Sequence, residues 1–250
     1  MELLFADDLV VVADSEEELQ RRWMRWQIGM ESKGLKVNTK TTEVMASSRR
    51  DVEVNIKDID NARLKQVQEF KYLRVTLDAR GGSQVAMRAR VAAAWNKWRE
   101  LSGVISNRKM PRKLNVKLYS TMIRPVLLYG AEVWTMGKEE KRILEATEMR
   151  MLRRITGVTL RERERSTDIR RELGVRDMNE KVKEIRMRWY GHVKRREGHP
   201  AKVAMESIVP GRRPRGRPKK RWRDNVKEDM SRTSGRGPGK RDLETEDPGG

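Results

Sequence analysis

The sequence predicts an α+β fold, with a small sheet region at the N-terminus followed by a mainly α-helical remainder. Residues 3–15 read LLFADDLVVVADS, in which two apolar runs surround a polar turn, as in a β-hairpin. The segment SEEE at 15–18 then matches the capping box that opens a helix, and apolar residues at 19, 23, 26 and 30 share one helical face. Extended segments at 35–38 and 43–45 complete the order hairpin, helix, strand, which favours a helix packed on one face of a small sheet.

The later elements follow from their own local signals. Residues 70–73 and 75–77 predict a second hairpin that ends at a Gly-Gly pair. A helix is predicted over 84–101, and Pro111 begins another helix that Pro125 kinks or stops. Residues 126–134 are apolar and aromatic, as expected of packed core. Helical patterns then continue to Gly157 and to Gly174, and a longer basic helix is predicted over 179–196.

Composition points to a polyanionic partner. The 250 residues carry a formal net charge of +20, with 36% hydrophobic and 38% charged residues. Such an excess of Lys and Arg is typical of proteins that bind nucleic acid. No apolar run approaches the ~20 residues of a membrane span, so no membrane partner is predicted. The chain has no cysteine, so it has no disulfide partner, and a reducing compartment is expected.

The C-terminal part is the most basic. Residues 186–223 contain 14 Lys or Arg against two Glu, which is more than half of the net charge of the chain. From residue 231 onward Gly, Ser, Arg, Asp and Pro dominate, and this composition predicts a disordered tail. The two histidines have no cysteine neighbours, so neither is predicted to be a metal ligand.

Six short motifs occur in one order along the chain. They are FADD at 5–8, GLKVN at 34–38, FKYL at 70–73, RPVLLYGAEVW at 124–134, RWYGHVKR at 188–195 and GRPKKRW at 216–222. The series resembles the C-terminal half of a non-LTR (LINE-type) retrotransposon reverse transcriptase. The resemblance implies a partial reverse-transcriptase palm over 1–82, a helical thumb-like region over 83–160, a basic helical region over 161–200, and a basic, AT-hook-like and disordered tail over 201–250.

Adjacent carboxylates at Asp7 and Asp8 need an explanation, because a buried ionised carboxylate is costly unless it is paired or binds a metal. The residues alone also allow a polar β-turn. The resemblance implies that Asp7 is a catalytic metal ligand and that Asp8 is a weaker ligand or an electrostatic partner. In such polymerases two Mg²⁺ ions activate the primer 3′-hydroxyl and stabilise the leaving pyrophosphate.

The family also has a further metal-binding Asp, the fingers and a nucleotide-selecting helix upstream of the FADD hairpin. Only six residues precede Asp7, so Mg²⁺ is expected only if upstream residues complete the palm. We therefore expect a fragment of an RNA-directed DNA polymerase that is inactive alone. The alternatives are a non-catalytic nucleic-acid-binding protein derived from it, or a decayed reading frame. Thr41 and Arg74 depart from the family pattern, which has Lys and Gly at these positions.

Two groups of residues are predicted to contact nucleic acid. The hairpin strand Phe70, Lys71, Tyr72 and Leu73 resembles the primer grip, although by itself it is an ordinary amphipathic strand. The basic segment resembles an AT-hook, whose arginines lie in a narrow minor groove. An alternative is non-selective phosphate contact or a nuclear localisation signal. The residues of this basic segment that we predict to contact nucleic acid are Arg212, Arg213, Arg215, Arg217, Lys219, Lys220 and Arg221.

These interpretations define the expected partners. An RNA template, a DNA primer or duplex DNA is predicted to bind, and the nucleus is favoured over the cytoplasm as the location. Trp23 and Trp26 could offer stacking surfaces to bases. Tryptophans at helical spacing are more often core residues, and that interpretation is favoured here.

Overall fold

The computed structural model describes residues 2–5, 8–48, 52–105, 107, 109–198, 200–207 and 220–234. The chain divides into two compact units, residues 1–99 and residues 100–250. The division falls inside a long helix, Gln84–Ile105. Among the described residues no helix is long and apolar enough to cross a membrane.

Three small two-stranded sheets form in unit 1. Strands β1 (Glu2–Phe5) and β2 (Asp8–Val11) make the predicted N-terminal hairpin. Strands β3 (Glu43–Val44) and β4 (Lys65–Gln66) pair in parallel. Strands β5 (Glu69–Tyr72) and β6 (Val75–Asp78) make the second predicted hairpin. The described strands therefore form three separate ladders, where the sequence predicts one small sheet.

The extended segment predicted at 35–38 is not a strand. The amide of Leu35 donates to the carbonyl of Met30, and Gly34 has φ +77°, so this stretch completes the end of the preceding helix. The hydroxyls of Thr41 and Thr42 both donate to the carbonyl of Asn38. Local side-chain bonds of this kind compete with strand pairing, which explains the difference.

Helix α1 (Glu16–Glu31) carries the core of unit 1. Ser15 accepts a hydrogen bond from the amide of Glu18 at 3.2 Å, so the predicted N-cap is present. The apolar face of the helix packs on residues of β3 and of two nearby loop segments. The buried members of this cluster are Trp23, Val44, Val54, Ile56 and Leu64.

Polar side chains also attach α1 to the loop at 52–59. The amide group of Gln20 makes a reciprocal pair with the backbone of Lys57, at 2.8 Å in both directions. Gln27 accepts from the amide of Ile59 at 3.1 Å, and Glu16 accepts from the amide of Asn55 at 2.8 Å. These bonds satisfy backbone groups that have no strand partner, so they hold the loop against the helix.

Unit 2 contains a helix whose winding changes along its length. Helix α2 (Gln84–Ile105) precedes it, and the new helix runs as α3 (Arg112–Leu118), a π-helical turn (Tyr119–Ile123) and α4 (Arg124–Leu127). Proline has no amide hydrogen, and its ring clashes with the carbonyl four residues earlier. The wide π-helical turn accommodates Pro125 without ending the helix. The sequence predicts a kink or a stop here, and the structure has the widened turn.

The middle of unit 2 is a set of packed helices. A 3₁₀ turn (Ala131–Val133) leads into α5 (Lys138–Thr156), and a second 3₁₀ turn (Leu160–Glu162) precedes α6 (Ser166–Leu173) and α7 (Met178–Arg195). Gly157 and Gly174 end α5 and α6 with φ of +80° and +63°, as predicted. Helix α5 packs on α3, α6 and α7. Fully buried residues at this contact include Leu144, Met151, Leu152 and Ile169.

The last helices correct a sequence expectation. The sequence assigns 201–250 to a tail, but helices α8 (Pro200–Glu206) and α9 (Trp222–Ser234) lie in that range. Helix α9 packs on α7, and Asn225 and Val226 are 1% and 3% exposed. Most residues of α9 are polar, yet a few buried side chains hold this helix in place. Residues 235–250 lie outside the described residues.

Candidate nucleic-acid interface

The FADD segment lies at the turn of the first hairpin. Phe5 pairs with Asp8, so the segment spans the connection between β1 and β2. Asp8 is exposed, and Asp7 lies outside the described residues. Every residue of β1 is exposed, including Leu4 at 69% and Phe5 at 63%. The hairpin thus presents an open apolar strand, and its described carboxylates, Glu2 and Asp8, lie at opposite ends of the ladder.

The described carboxylates do not assemble into a metal site. Within the part of the chain that the structure describes, no group of three or more Asp, Glu, His or Cys side chains could hold a metal ion. Mg²⁺ prefers clustered oxygen ligands, and the described donors around Asp8 do not supply them. No catalytic step through a metal can be derived from these residues.

The second hairpin presents alternating side chains. Phe70 and Tyr72 are half-buried on one face of β5, and Lys71 is exposed on the other. The connection is the pair Leu73 and Arg74, with φ of +46° and +65°. A two-residue turn with both φ values positive favours Asn and Gly. Arg74 therefore occupies a left-handed position in which an L-residue is strained.

The tryptophans of α1 belong to the core. Trp23 and Trp26 stack with ring centroids 5.8 Å apart. Trp23 is only 6% exposed, and Trp26 packs against the same apolar cluster. The core interpretation of this pair is confirmed.

The AT-hook-like segment is described only at its end. Arg212, Arg213, Arg215, Arg217 and Lys219 lie outside the described residues. Lys220 forms an ion pair with Glu228 at 2.7 Å. The amide of Arg221 donates to Asp224, and the Arg221 side chain is exposed. These two residues therefore also help to begin α9.

The C-terminal end of α7 is a second basic surface. Lys194, Arg195 and Arg196, which we call the α7 basic end, are all exposed. None of them forms an ion pair with a carboxylate of the described residues, whereas Arg188, earlier on the same helix, pairs with Glu184 at 2.9 Å. Basic residues here also complement the negative end of the helix dipole. The motif RWYGHVKR includes part of this surface, although the sequence alone did not single out its residues as a site.

A buried ionic cluster fixes the helices that carry this surface. Glu148 is fully buried and accepts from the Tyr119 hydroxyl at 3.0 Å. Arg170 Nε and Nη2 donate to Glu148 Oε2 at 3.2 and 3.1 Å, and Arg170 also pairs with Asp177 at 2.8 Å. Burial raises the pKa of Glu148, against the opposing effect of Arg124 and Arg170.

The tyrosine in this cluster stays protonated. Burial is the main cause that raises the pKa of Tyr119 well above its usual value, and the negative charge of Glu148 adds to the shift. The phenol donates its hydrogen bond to Glu148 Oε1. Because both residues are fully buried, the cluster has a structural role in joining α5 to the π-helical turn.

In sequence, the chain is similar to a transposon-derived protein. It is 28% identical over 240 residues to an uncharacterized transposon-derived protein of Caenorhabditis elegans, and the match covers 92% of this chain and 85% of the relative. No family profile and no solved structure matches the chain. The similarity fits an origin in a transposon.

Proposed function

We propose that this chain is a nucleic-acid-binding protein derived from the reverse transcriptase of a non-LTR retrotransposon, with residues 1–82 as a partial palm. Binding depends on the exposed cations of the α7 basic end and on the basic residues of the segment that precedes α9. The net charge of +20 and the similarity to a transposon-derived protein both support the proposal. Its expected location is the nucleus, where a duplex or an RNA partner is available.

The observation that carries the proposal is the uncompensated charge of Lys194, Arg195 and Arg196. An exposed Lys or Arg that has a carboxylate partner gains little from a phosphate, because the existing pair must first be broken. These three cations have no such partner within the described residues. Phosphates can therefore replace their counterions directly, which is the main driving force of non-specific binding.

Polymerisation by the same chain is the second candidate. The pairing of Phe5 with Asp8 supports it, because this register places FADD at a hairpin turn, as the resemblance implies for a catalytic hairpin. Asp7 and Asp8 would be the residues to test. The uncompensated charge of the α7 basic end supports binding directly, so binding is the function proposed first.

One set of assays separates the two candidates. Fluorescence anisotropy at low salt, with labelled duplex DNA and single-stranded RNA, is expected to show binding by the full chain. Primer extension on an RNA template with Mg²⁺ is expected to give no product. Extension that is lost in Asp7→Ala would show that the chain polymerises. Absence of binding to every probe at low salt would overturn the proposed function itself.

A further inference from the structure

Two aromatic rings stack on the surface of α7, next to the basic end. Trp189 and His192 lie one helical turn apart, with ring centroids 5.4 Å apart and an angle of 19° between their planes. Both residues are half-buried. The residues that α7 turns into the core are others, among them Arg186 and Val193, which are each 2% exposed.

The stack differs from the tryptophan pair of α1. Trp23 and Trp26 have nearly the same stacking geometry, at 5.8 Å and 22°, but one member of that pair is enclosed in the core of unit 1. Neither Trp189 nor His192 is buried. Both members of the α7 pair are therefore partly open to a further planar group, whereas only one member of the α1 pair is.

A cation follows the stack one helical turn later, since Arg195 lies three positions after His192 on α7. Arg195 folds back along α7, because its Nη1 lies 3.3 Å from the position that a Cβ on Gly191 would occupy. Gly191 has no side chain, so the Arg195 side chain can lie along this part of the helix. Flat rings and an adjacent cation are the combination that binds a base and its phosphate together.

We propose that the Trp189–His192 stack is a binding site for an unpaired nucleobase, with Arg195 contacting the adjoining phosphate. This rests on the proposed nucleic-acid binding and narrows its partner to single-stranded nucleic acid. The faces of a base inside a duplex are already covered by its neighbours. Only a base that is free of the duplex can therefore extend the stack.

The test compares three probes with the full chain and its variants. The probes are a fluorescein-labelled poly(dA) strand, a duplex, and an abasic strand of equal length. Trp189→Ala and His192→Ala are each expected to weaken poly(dA) binding by about tenfold, as loss of one stacked base predicts. The affinity of each variant for the duplex and for the abasic strand is expected to stay within about twofold of that of the unaltered chain, because the phosphate contacts are intact.

Controls keep the result interpretable. Trp189→Phe retains a flat ring and is expected to restore most of the poly(dA) affinity. Trp26→Phe changes the matched stack of α1 and is expected to leave all three affinities unchanged. Thermal unfolding of each variant checks that unit 2 is folded.

Each other outcome contradicts the inference in a distinguishable way. Equal losses on all three probes would show that the rings only support the fold. Unchanged poly(dA) binding in both alanine variants would reject the stacking site while leaving the proposed function intact. Failure of the unaltered chain to bind any probe would reject both the stacking site and the proposed function.

Discussion

Asn225 of α9 bonds to both backbone polar groups of Met136. Its Oδ1 accepts from the Met136 amide at 2.8 Å, and its Nδ2 donates to the Met136 carbonyl at 2.9 Å. Trp222 adds a bond from its indole nitrogen to the carbonyl of Glu132 at 2.7 Å. These contacts attach α9 to the segment before α5, so the basic residues that precede α9 connect to an anchored helix.

Asn225→Ala tests this anchor. The change leaves a buried amide and a buried carbonyl of Met136 without partners, and each such group costs about 1–3 kcal/mol. We expect α9 to detach, with faster hydrogen exchange and new proteolytic cleavage in α9. Lys227→Ala, at an exposed position of the same helix, is the matched control. If α9 is equally protected from hydrogen exchange and proteolysis in both variants, Asn225 does not anchor this helix.

Tyr119→Phe tests the buried ionic cluster. The ring is kept, but Glu148 Oε1 loses the hydroxyl that donates to it at 3.0 Å. We expect the free energy of unfolding to fall by about 1–3 kcal/mol, measured by urea denaturation. Tyr190→Phe is the control, because the Tyr190 hydroxyl has no hydrogen bond within the described residues. A loss of equal size in both variants would show that the Glu148 contact contributes nothing.

Arg74→Gly tests the strained turn of the second hairpin. Arg74 has φ +65°, and relief of this conformation by glycine is expected to stabilise the hairpin by about 1 kcal/mol. The measurement is hydrogen exchange at the amides of β5 and β6, which should slow. Arg74→Ala removes the same side chain but keeps an L-residue at positive φ, so it should bring no such gain. Slower exchange in Arg74→Ala as well would point to the side chain instead of the backbone.

Local signals in the sequence identified much of the secondary structure. Both hairpins, the Ser15 N-cap and the helix ends at Gly157 and Gly174 follow from residues close together in the chain. These features depend on turn chemistry and helical capping, which short segments encode. The assignment of residues 1–82 to a partial polymerase palm stays a prediction, as does the primer-grip role of 70–73.

Contacts between distant residues could not be predicted in the same way. Asn225 and Met136 are 89 positions apart, and Gln20 and Lys57 are 37 apart. A polar segment such as 222–234 resembles a disordered tail when its partners are unknown, because few buried side chains fix it. The Trp189–His192 stack had a sequence signal, since residues three apart face each other on a helix, but the signal did not show that both residues are half-buried.

The exposed β1 strand bears on the alternative that the chain is a decayed reading frame. Leu4 and Phe5 leave an apolar strand open to solvent, and such edges promote association between chains. The clustered apolar core of unit 1 and the buried ionic cluster of unit 2 argue instead for cooperative folding. We therefore expect the chain to unfold cooperatively on heating.

The salt dependence of duplex DNA binding tests the central claim most directly. The unaltered chain should show a steep fall of log K with log salt. Replacing Lys194, Arg195 and Arg196 by glutamine should reduce the slope by about 2–3, because each phosphate that is no longer neutralised lowers it by ~0.9. The same change at Arg63, Lys65 and Arg142, which are exposed but paired with Glu53, Glu43 and Glu139, alters the net charge equally and should leave the slope nearly unchanged. Equal slopes for the unaltered chain and its α7 variant, or no binding at low salt, would contradict the proposed function.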